Sequence, residues 1–566
     1  MTKSLYKRTW FMILMFTLIV LAIIFHRVKK YVINEVVEKI EKSRNISCGE
    51  VGISLIAGSI QLDSVEVNYT LNGKSPVVLK SSKAYFKNLS YWDYLVNNEI
   101  TISNITLENL DFLFASSLPK KAKTQLDTTD TKNGPTKLVV HSINIAQGKV
   151  HTSNTNSRKI DIESFEAYIN DFTYFHLNDS TSIDWKSVEV SAYNISLDNN
   201  RRKNIVSIGK FELSDDENLL LRNLEWSPRK SKEIFASSIP YQKSWIDLKL
   251  PALEAYPFSI KKFILNDEFT PTNVNIDNGR LEAVKNKLHV DCIDCVKKYF
   301  YEGLASLEYK IDLNAIKINN AEIVYSQIIE EGKETGKLNW SKINADITDL
   351  SNVKESKREY AVFDINASFL ENNNLSVNFR FPNVNPKLKY TFAGTLDKLE
   401  LNELNDFLNF ASGFSIKSGT LDNLKFYGEG DLKTSSGNME LKYSGLDIAV
   451  LSEDQKKRKV LTAFLNTILS NKNNPDEKDK LRVGEMYFER LFEKSFTGNI
   501  WNTLQTGIRS TVLPNLLLPE ELDVSKDQIR TLFNPNNKST NEVKTKREIR
   551  REKRRKKKAL EKIESN

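Results

Sequence analysis

From about Cys48 onward the chain alternates apolar and polar residues in short runs that recur at close, regular spacing. In "EITISNITLENLDFLF" (99–114) Ile100 and Ile102 share one phase, Ile105 and Leu107 take the other, and Leu110, Phe112 and Phe114 return to the first. A period of two predicts half-buried strands, and a slip of phase at Asn predicts a turn or a bulge. The pattern returns in "GSIQLDSVEVNY" with Ile60, Leu62, Val65, Val67 and Tyr69, and in "KIDIESFEAYINDFTYF" with Ile160, Ile162, Phe165, Ala167, Ile169, Phe172 and Tyr174. It returns again in "YKIDLNAIKINNAEIVYSQ" with Ile311, Leu313, Ile316, Ile318, Ile323 and Tyr325. No helices alternate with these runs, so a doubly wound sheet is excluded and a long antiparallel sheet with one apolar face is predicted. Periodicity leaves open which phase faces that side, because a one-residue slip exchanges the two faces.

Helical signals are few. Tyr91–Val96 reads as one turn, and Leu401, Leu404, Leu408 and Ala411 mark a short amphipathic helix. The polar stretches 119–137 and 471–480 read as loops, and neither divides the chain into two domains. Past residue 450 the period becomes helical. Val460 or Leu461, Phe464, Leu465 and Ile468 form one stripe; Phe496, Ile500, Leu504 and Ile508, with Trp501 beside them, form a second, and "KLRVGEMYFER" between them reads as a last strand. These helices either cap the open end of the sheet or lie on a membrane surface.

The N-terminus follows different rules. Trp10 to Phe25 is free of charge, is preceded by Lys3, Lys7 and Arg8, and is followed by Arg27, Lys29 and Lys30. With snorkelling basic flanks it reaches bilayer-spanning length, and no small-residue cleavage site follows, so it reads as a retained signal-anchor. Basic residues on both sides leave the orientation undecided by charge counting; the N-terminus is placed in the cytoplasm because the first segment must initiate export of the rest. Val32, Val36 and Ile40 continue a helical stripe to about Arg44. The organisation expected is therefore a stub, anchor and helical extension over 1–44, a β body over 45–452, amphipathic helices plus a last strand over 453–520, and a disordered or partly helical basic tail over 521–566.

Composition sharpens this picture. Over 566 residues, 40% hydrophobic content supplies a real core, while 21 Gly and 14 Pro are few, leaving Asn, Asp and Lys to punctuate the strands. The net charge of +8 lies wholly in the tail: from Lys544 to Asn566 there are twelve basic residues and four Glu, so 81 less 12 and 73 less 4 leave 69 of each sign in the rest. A neutral body gives no long-range attraction for a polyanion, and no nucleic acid is expected. The tail, with Arg550, Arg551, Arg554, Arg555, Lys556, Lys557 and Lys558, suits anionic headgroups if it is exported with the body, or else is a solvated charge run. Asn-x-Ser/Thr sequons, Asn68, Asn104 and Asn194 among them, read as turn chemistry rather than glycosylation acceptors.

Candidate chemistry is sparse. Three cysteines make no disulfide scaffold; Cys292 and Cys295 form a lone CxxC, read as a structural pair, with a metal site using His289 and Asp291 or a redox site as alternatives. Five His residues offer no paired spacing, no HExxH and no triad partner, and no Gly-rich phosphate loop is present. No enzyme activity and no cofactor are expected.

Two stretches resemble the AsmA-like family of Gram-negative envelope proteins, related to TamB and the repeating β-groove lipid-transfer proteins. They are "GSIQLDSVEV…KAYFKNLSYWDYLVNNEITISNITLENLDFLF" (58–114) and "FAGTLDKLELNELNDFLNFASGFSIKSGTLDNLKFYGEG" with "GNMELKYSGLDIAVL" (392–451). "LRVGEMYFERLFEKSF" is similar to the tail of Bacteroidetes-type members. The resemblance implies a single-pass inner-membrane anchor and a curved periplasmic sheet, open along one side, whose apolar concave face covers phospholipid acyl chains. Candidate lining residues are Ile100, Ile102, Leu110, Phe112 and Phe114, or else Ile105 and Leu107. Its implied roles are phospholipid transport or regulation of outer-membrane assembly, with outer-membrane or other envelope proteins as partners. Periodicity alone equally fits a sheet folded on itself as a sandwich or β-roll, a non-enzymatic envelope scaffold or tether with no ligand. An outer-membrane barrel suits the helical ends poorly.

Overall fold

The structure, a computed structural model, describes residues 45–513 except 55–56, 72–74, 116–136, 154–157, 178–179, 200–203, 293–294, 331–332, 412–413, 452–461, 463–465, 467–468 and 476–479. The expected anchor, the first C-terminal stripe apart from its flanks, and the basic tail with Arg550 to Lys558 lie outside the described residues. Among the described residues no helix is long and apolar enough to cross a membrane.

The chain is mainly β and forms one large curved sheet whose strands add in sequence order, from Ile46–Ser47 and Val51–Ser54 against Ser59–Leu71 to Val483–Glu489 against Thr434–Val450. Several segments are one strand interrupted: Glu99–Glu108 and Asp111–Ala115 both pair with Ser75–Leu89, and Asn273–Asp277 and Arg280–Asn286 both pair with Ser244–Tyr256. About nineteen strands therefore lie abreast, roughly 85 Å along the sheet at ~4.8 Å per step.

The expected antiparallel sheet is mixed. Lys137–Ser153 runs parallel to Glu99–Glu108 and Asp111–Ala115, and Lys310–Glu330 runs parallel to Asn273–Asp277 and Arg280–Asn286. A parallel step needs a dozen or more residues to carry the chain back to its starting edge. Residues 287–309 supply the second of these returns; the segment that precedes Lys137–Ser153 lies outside the described residues.

The phase slips lie within one continuous face. Ile100, Ile102, Ile105, Leu107, Leu110, Phe112 and Phe114 are all buried, so the two phases are one inward face kinked twice. Neighbouring strands slip at the same level: Leu107 and Leu110 match Ile145 and Gly148, and Ala192 and Ile195 match Phe211 and Ile208. Asn109, Gln147, Asn194, Asn223, Asn278 and Asn320 have φ of 51° to 56° at this level. Side chains bind along the crease, Asn109 Nδ2 donating to Ser82 Oγ (2.9 Å) and Asn320 Nδ2 to Asn278 Oδ1 (2.8 Å). Pro251, between the paired residues Leu250 and Ala252, sits where the ladder skips a pair opposite Asn223, so its missing N–H costs nothing.

The left-handed conformation is costly for residues with a branched Cβ and is tolerated by Asn. A shared line of such residues runs across many of the strands at one level, and each bends its strand there. Asn194→Val is expected to destabilise the chain by about 1–2 kcal/mol, and Asn194→Gly by no more than a few tenths, in chemical denaturation.

Two packed cores occupy the ends of the inward face. The first unites strands from Ile46–Ser47 to Ser187–Asn199, with Phe112, Phe165 and Phe172 fully buried, and extends along one edge to Leu213, Ala255, Val274 and Leu313. At that edge helix α3 (Ile260–Leu265) closes the sheet through contacts among Phe258, Phe263 and Phe269. Gly148 admits the Phe165 ring where any side chain would overlap it. The second core joins strands Tyr360–Phe369 to Val483–Glu489 with helix α6 (Phe496–Val512). Helix α1 (Tyr91–Asn97) is capped by Ser90, whose side chain accepts from the Asp93 N–H. Helix α2 (Lys232–Ser237) covers the opposite face through Ala236, Val284 and Ile328.

Candidate functional site

Between the cores the inward face is differently covered. Register places Ile195, Ile208, Leu224 and Leu250 in one row, and Leu248, Leu281, Ile323, Trp340 and Phe369 in another. Ile318, Ala345, Ile365 and Val377 form a further row. Leu224, Leu248, Leu250, Leu281, Ile318, Ile323, Trp340, Ile347, Ile365 and Val377 are only half-buried, and none belongs to either packed core. The strip crosses about eight strands, roughly 35 Å at ~4.8 Å per step. A lipid leaflet's chains occupy about 15 Å, half of a ~30 Å hydrocarbon core. The result is a continuous half-buried apolar strip on the inward face, bounded by the two packed cores; we call it the trough.

Two elements roof one of its edges. A 3₁₀ turn (Leu401–Leu404) leads into helix α5 (Asn405–Ala411), whose Phe407 lies 6.2 Å from the Tyr325 ring and against Gly336. The second is the crossover 287–309, with helix α4 (Phe300–Ala305). Its Tyr299, Phe300 and Tyr301 stack among Phe363, Phe381, Tyr390 and Phe496 on the inward face. Burial raises the Tyr299 phenol to about 12 and pushes Tyr301, Tyr390 and Tyr325 upward as well.

The crossover is pinned by Arg490, whose guanidinium donates to Glu302 Oε2 (2.8 Å) and the Lys297 carbonyl (2.8 Å) and lies 3.8 Å from the centre of the Tyr299 ring. Arg490 and Glu302 side chains are 1% and 8% exposed. Cys292 and Cys295 form a disulfide, which the sequence left undecided between structural, metal and redox roles. Among the described residues no His, Cys, Asp and Glu are grouped to hold a metal ion.

At the crossover's start the rows run out into polar residues: Ile246 and Ala283 pair with each other, Ala283 with Tyr325, and then Ser244, Lys285 and Gln327 follow. Gln327 Nε2 donates to the Tyr325 hydroxyl at 3.1 Å. Lys285 Nζ lies 3.9 Å from one Asp291 oxygen and Lys494 Nζ 3.8 Å from the other. Burial first, then neighbouring ammonium groups, lowers Lys285 and Lys287 from 10.5 to about 8, against the favourable pull of Asp291.

The folded chain therefore binds fewer protons at these lysines than the unfolded chain between pH 8 and 10.5, and stability rises with pH there. Above pH 10 the raised Tyr299 reverses the slope, since the folded state then holds the extra proton. The melting temperature is expected to climb from pH 7.5 to 9.5, and K285Q/K287Q to flatten that climb.

The residues singled out from the sequence fall in particular places. Ile100, Ile102, Leu110, Phe112 and Phe114 are 0–5% exposed within the first core, as are Ile105 and Leu107 at 0–6%. They share the inward face with the trough but are covered by protein, packed within the first core. In α6, Ile500 is buried while Phe496, Leu504 and Ile508 pack against the second core, so the stripe caps the sheet and only Trp501, 48% exposed, faces outward. Sequence reading named Ile318, Ile323 and Tyr325 as strand residues without marking the trough, and missed Leu224, Leu250, Trp340 and the lysine cluster. The lysine density around Cys292 was the available signal.

No family model matches the chain, and no curated protein matches it.

Proposed function

We propose that the chain is a membrane-anchored envelope protein, of the AsmA-like kind its sequence resembles, that shields phospholipid acyl chains in the apolar trough. The carrying observation is the half-buried strip of Leu, Ile and Trp, belonging to neither packed core, between the two. Acyl chains would complete its burial without a second sheet. Headgroups remain in solvent at the rim beyond Tyr325, and chains lie across the strands over Leu281, Ile323 and Trp340. The mechanism is passive, and direction comes from partners or a gradient. At roughly 85 Å the sheet is shorter than a thirty-strand span of about 140 Å, which favours a carrier or partial bridge with a partner beyond it. The disulfide fits an exported, oxidising location. A scaffold with no ligand is the alternative, favoured by the closed first core.

Mass spectrometry of lipid co-purifying with the full chain tests this. Near-stoichiometric phospholipid is expected, reduced at least tenfold by Ile323→Asp, with the melting temperature showing that the variant folds. A folded, lipid-free wild-type chain would favour the scaffold.

A further inference from the structure

We propose that the lysine cluster at the rim is a headgroup site for a phosphate ester, a reading that rests on the trough holding acyl chains. Lys285 continues the inward row directly past Ala283, so its ammonium lies where a headgroup would emerge if chains lay over Leu281 and Ile323. Lys297 and Lys494 act on the charge of Lys285, and Lys285 and Lys494 on that of Lys287, with Asp291 the carboxylate among the described residues that acts on both. The Lys285, Lys494 and Asp291 side chains are 20%, 15% and 18% exposed, and both lysine contacts to Asp291 are near 4 Å. An excess of ammonium groups in a partly dry crevice is unfavourable until an anion joins it. Helix α6 adds to the field, because Lys494 immediately precedes its N-cap Ser495.

The cluster is held together by independent constraints. The disulfide begins at the residue after Asp291, the Lys287 N–H binds the Ile328 carbonyl (2.8 Å), and the Lys297 N–H binds the Phe492 carbonyl (2.8 Å). These ties bring residues about 200 positions apart to one rim. A lysine serves a phosphate as a compact point charge, and several around one group neutralise it without a fixed fork geometry. The site takes a phosphomonoester or phosphodiester, and its natural source is a lipid headgroup because the apolar strip begins one residue pair away.

The full chain in detergent micelles is titrated with phosphatidic acid and with diacylglycerol of the same chains at pH 7. Wild type is expected to bind phosphatidic acid at least tenfold more tightly. K285Q/K494Q is expected to bring that ratio near one while still binding diacylglycerol, and its melting temperature shows that it folds. The preference is expected to fade above pH 9 as Lys285 and Lys287, facing Asp291, Lys297 and Lys494, lose their protons. Binding of neither lipid by wild type would overturn the trough itself. Equal binding of both lipids, or a preference that survives K285Q/K494Q, would overturn the headgroup site alone. Inorganic phosphate, followed by phosphorus NMR, separates the sources: binding that is equal in wild type and Ile323→Asp, without any lipid preference, would reassign the site to free phosphate and overturn the headgroup assignment.

Discussion

Replacing Arg490 with Met is expected to destabilise the chain by about 3–5 kcal/mol, because it strands the Glu302 carboxylate in a buried site. Glu302 Oε2 retains the Tyr299 N–H at 2.6 Å, which does not neutralise its charge. The lost guanidinium also leaves the Lys297 carbonyl and the Tyr299 ring face. The double variant E302L/R490M removes both charges and is expected to recover most of the loss, since a buried pair replaced by apolar groups is often neutral. Chemical denaturation of the four proteins in the cycle checks this; a loss under 1 kcal/mol for R490M alone would mean that the pair does not pin the crossover.

The second large effect lies in the first core. Phe112→Ala is expected to cost about 3–5 kcal/mol, because the ring is fully buried, stacks on Phe114 at 6.2 Å and meets Phe165 at 6.5 Å. Thermal melting reads it. The contrast with Ile323 is the informative part: a residue of the same inward face, in the trough, should tolerate truncation with under about 1.5 kcal/mol while changing lipid retention. Equal losses at the two positions would show that the inward face is packed throughout.

Strand alternation made the mainly β class and the single long sheet legible, since a period of two survives any curvature. The slips at Asn104 and Asn109 were visible but ambiguous in one strand. Only the matching slips in neighbouring strands, at Asn194 or Asn278, reveal a crease that keeps both phases on one face. Parallel steps were hidden because alternation within a strand does not show its neighbour's direction, and 287–309, which carries Tyr299 and Tyr301 into the second core, was assigned no element. The trough was least legible of all. Ile102 and Ile323 both sit on alternating strands, and what separates them is packing against residues far away in sequence, which buries Ile102 in the first core and leaves Ile323 outside either core. The rim lysines likewise depend on Asp291 lying between Lys285 and Lys494, far apart in sequence.

Site-specific photocrosslinking in cells tests the central claim most directly. A benzophenone side chain placed at Ile323 or at Ile365 is expected to capture phospholipid, and the same group at exposed Lys249, on the opposite face, none. Capture absent at both trough positions, in a chain that is folded and anchored, would contradict an acyl-chain trough.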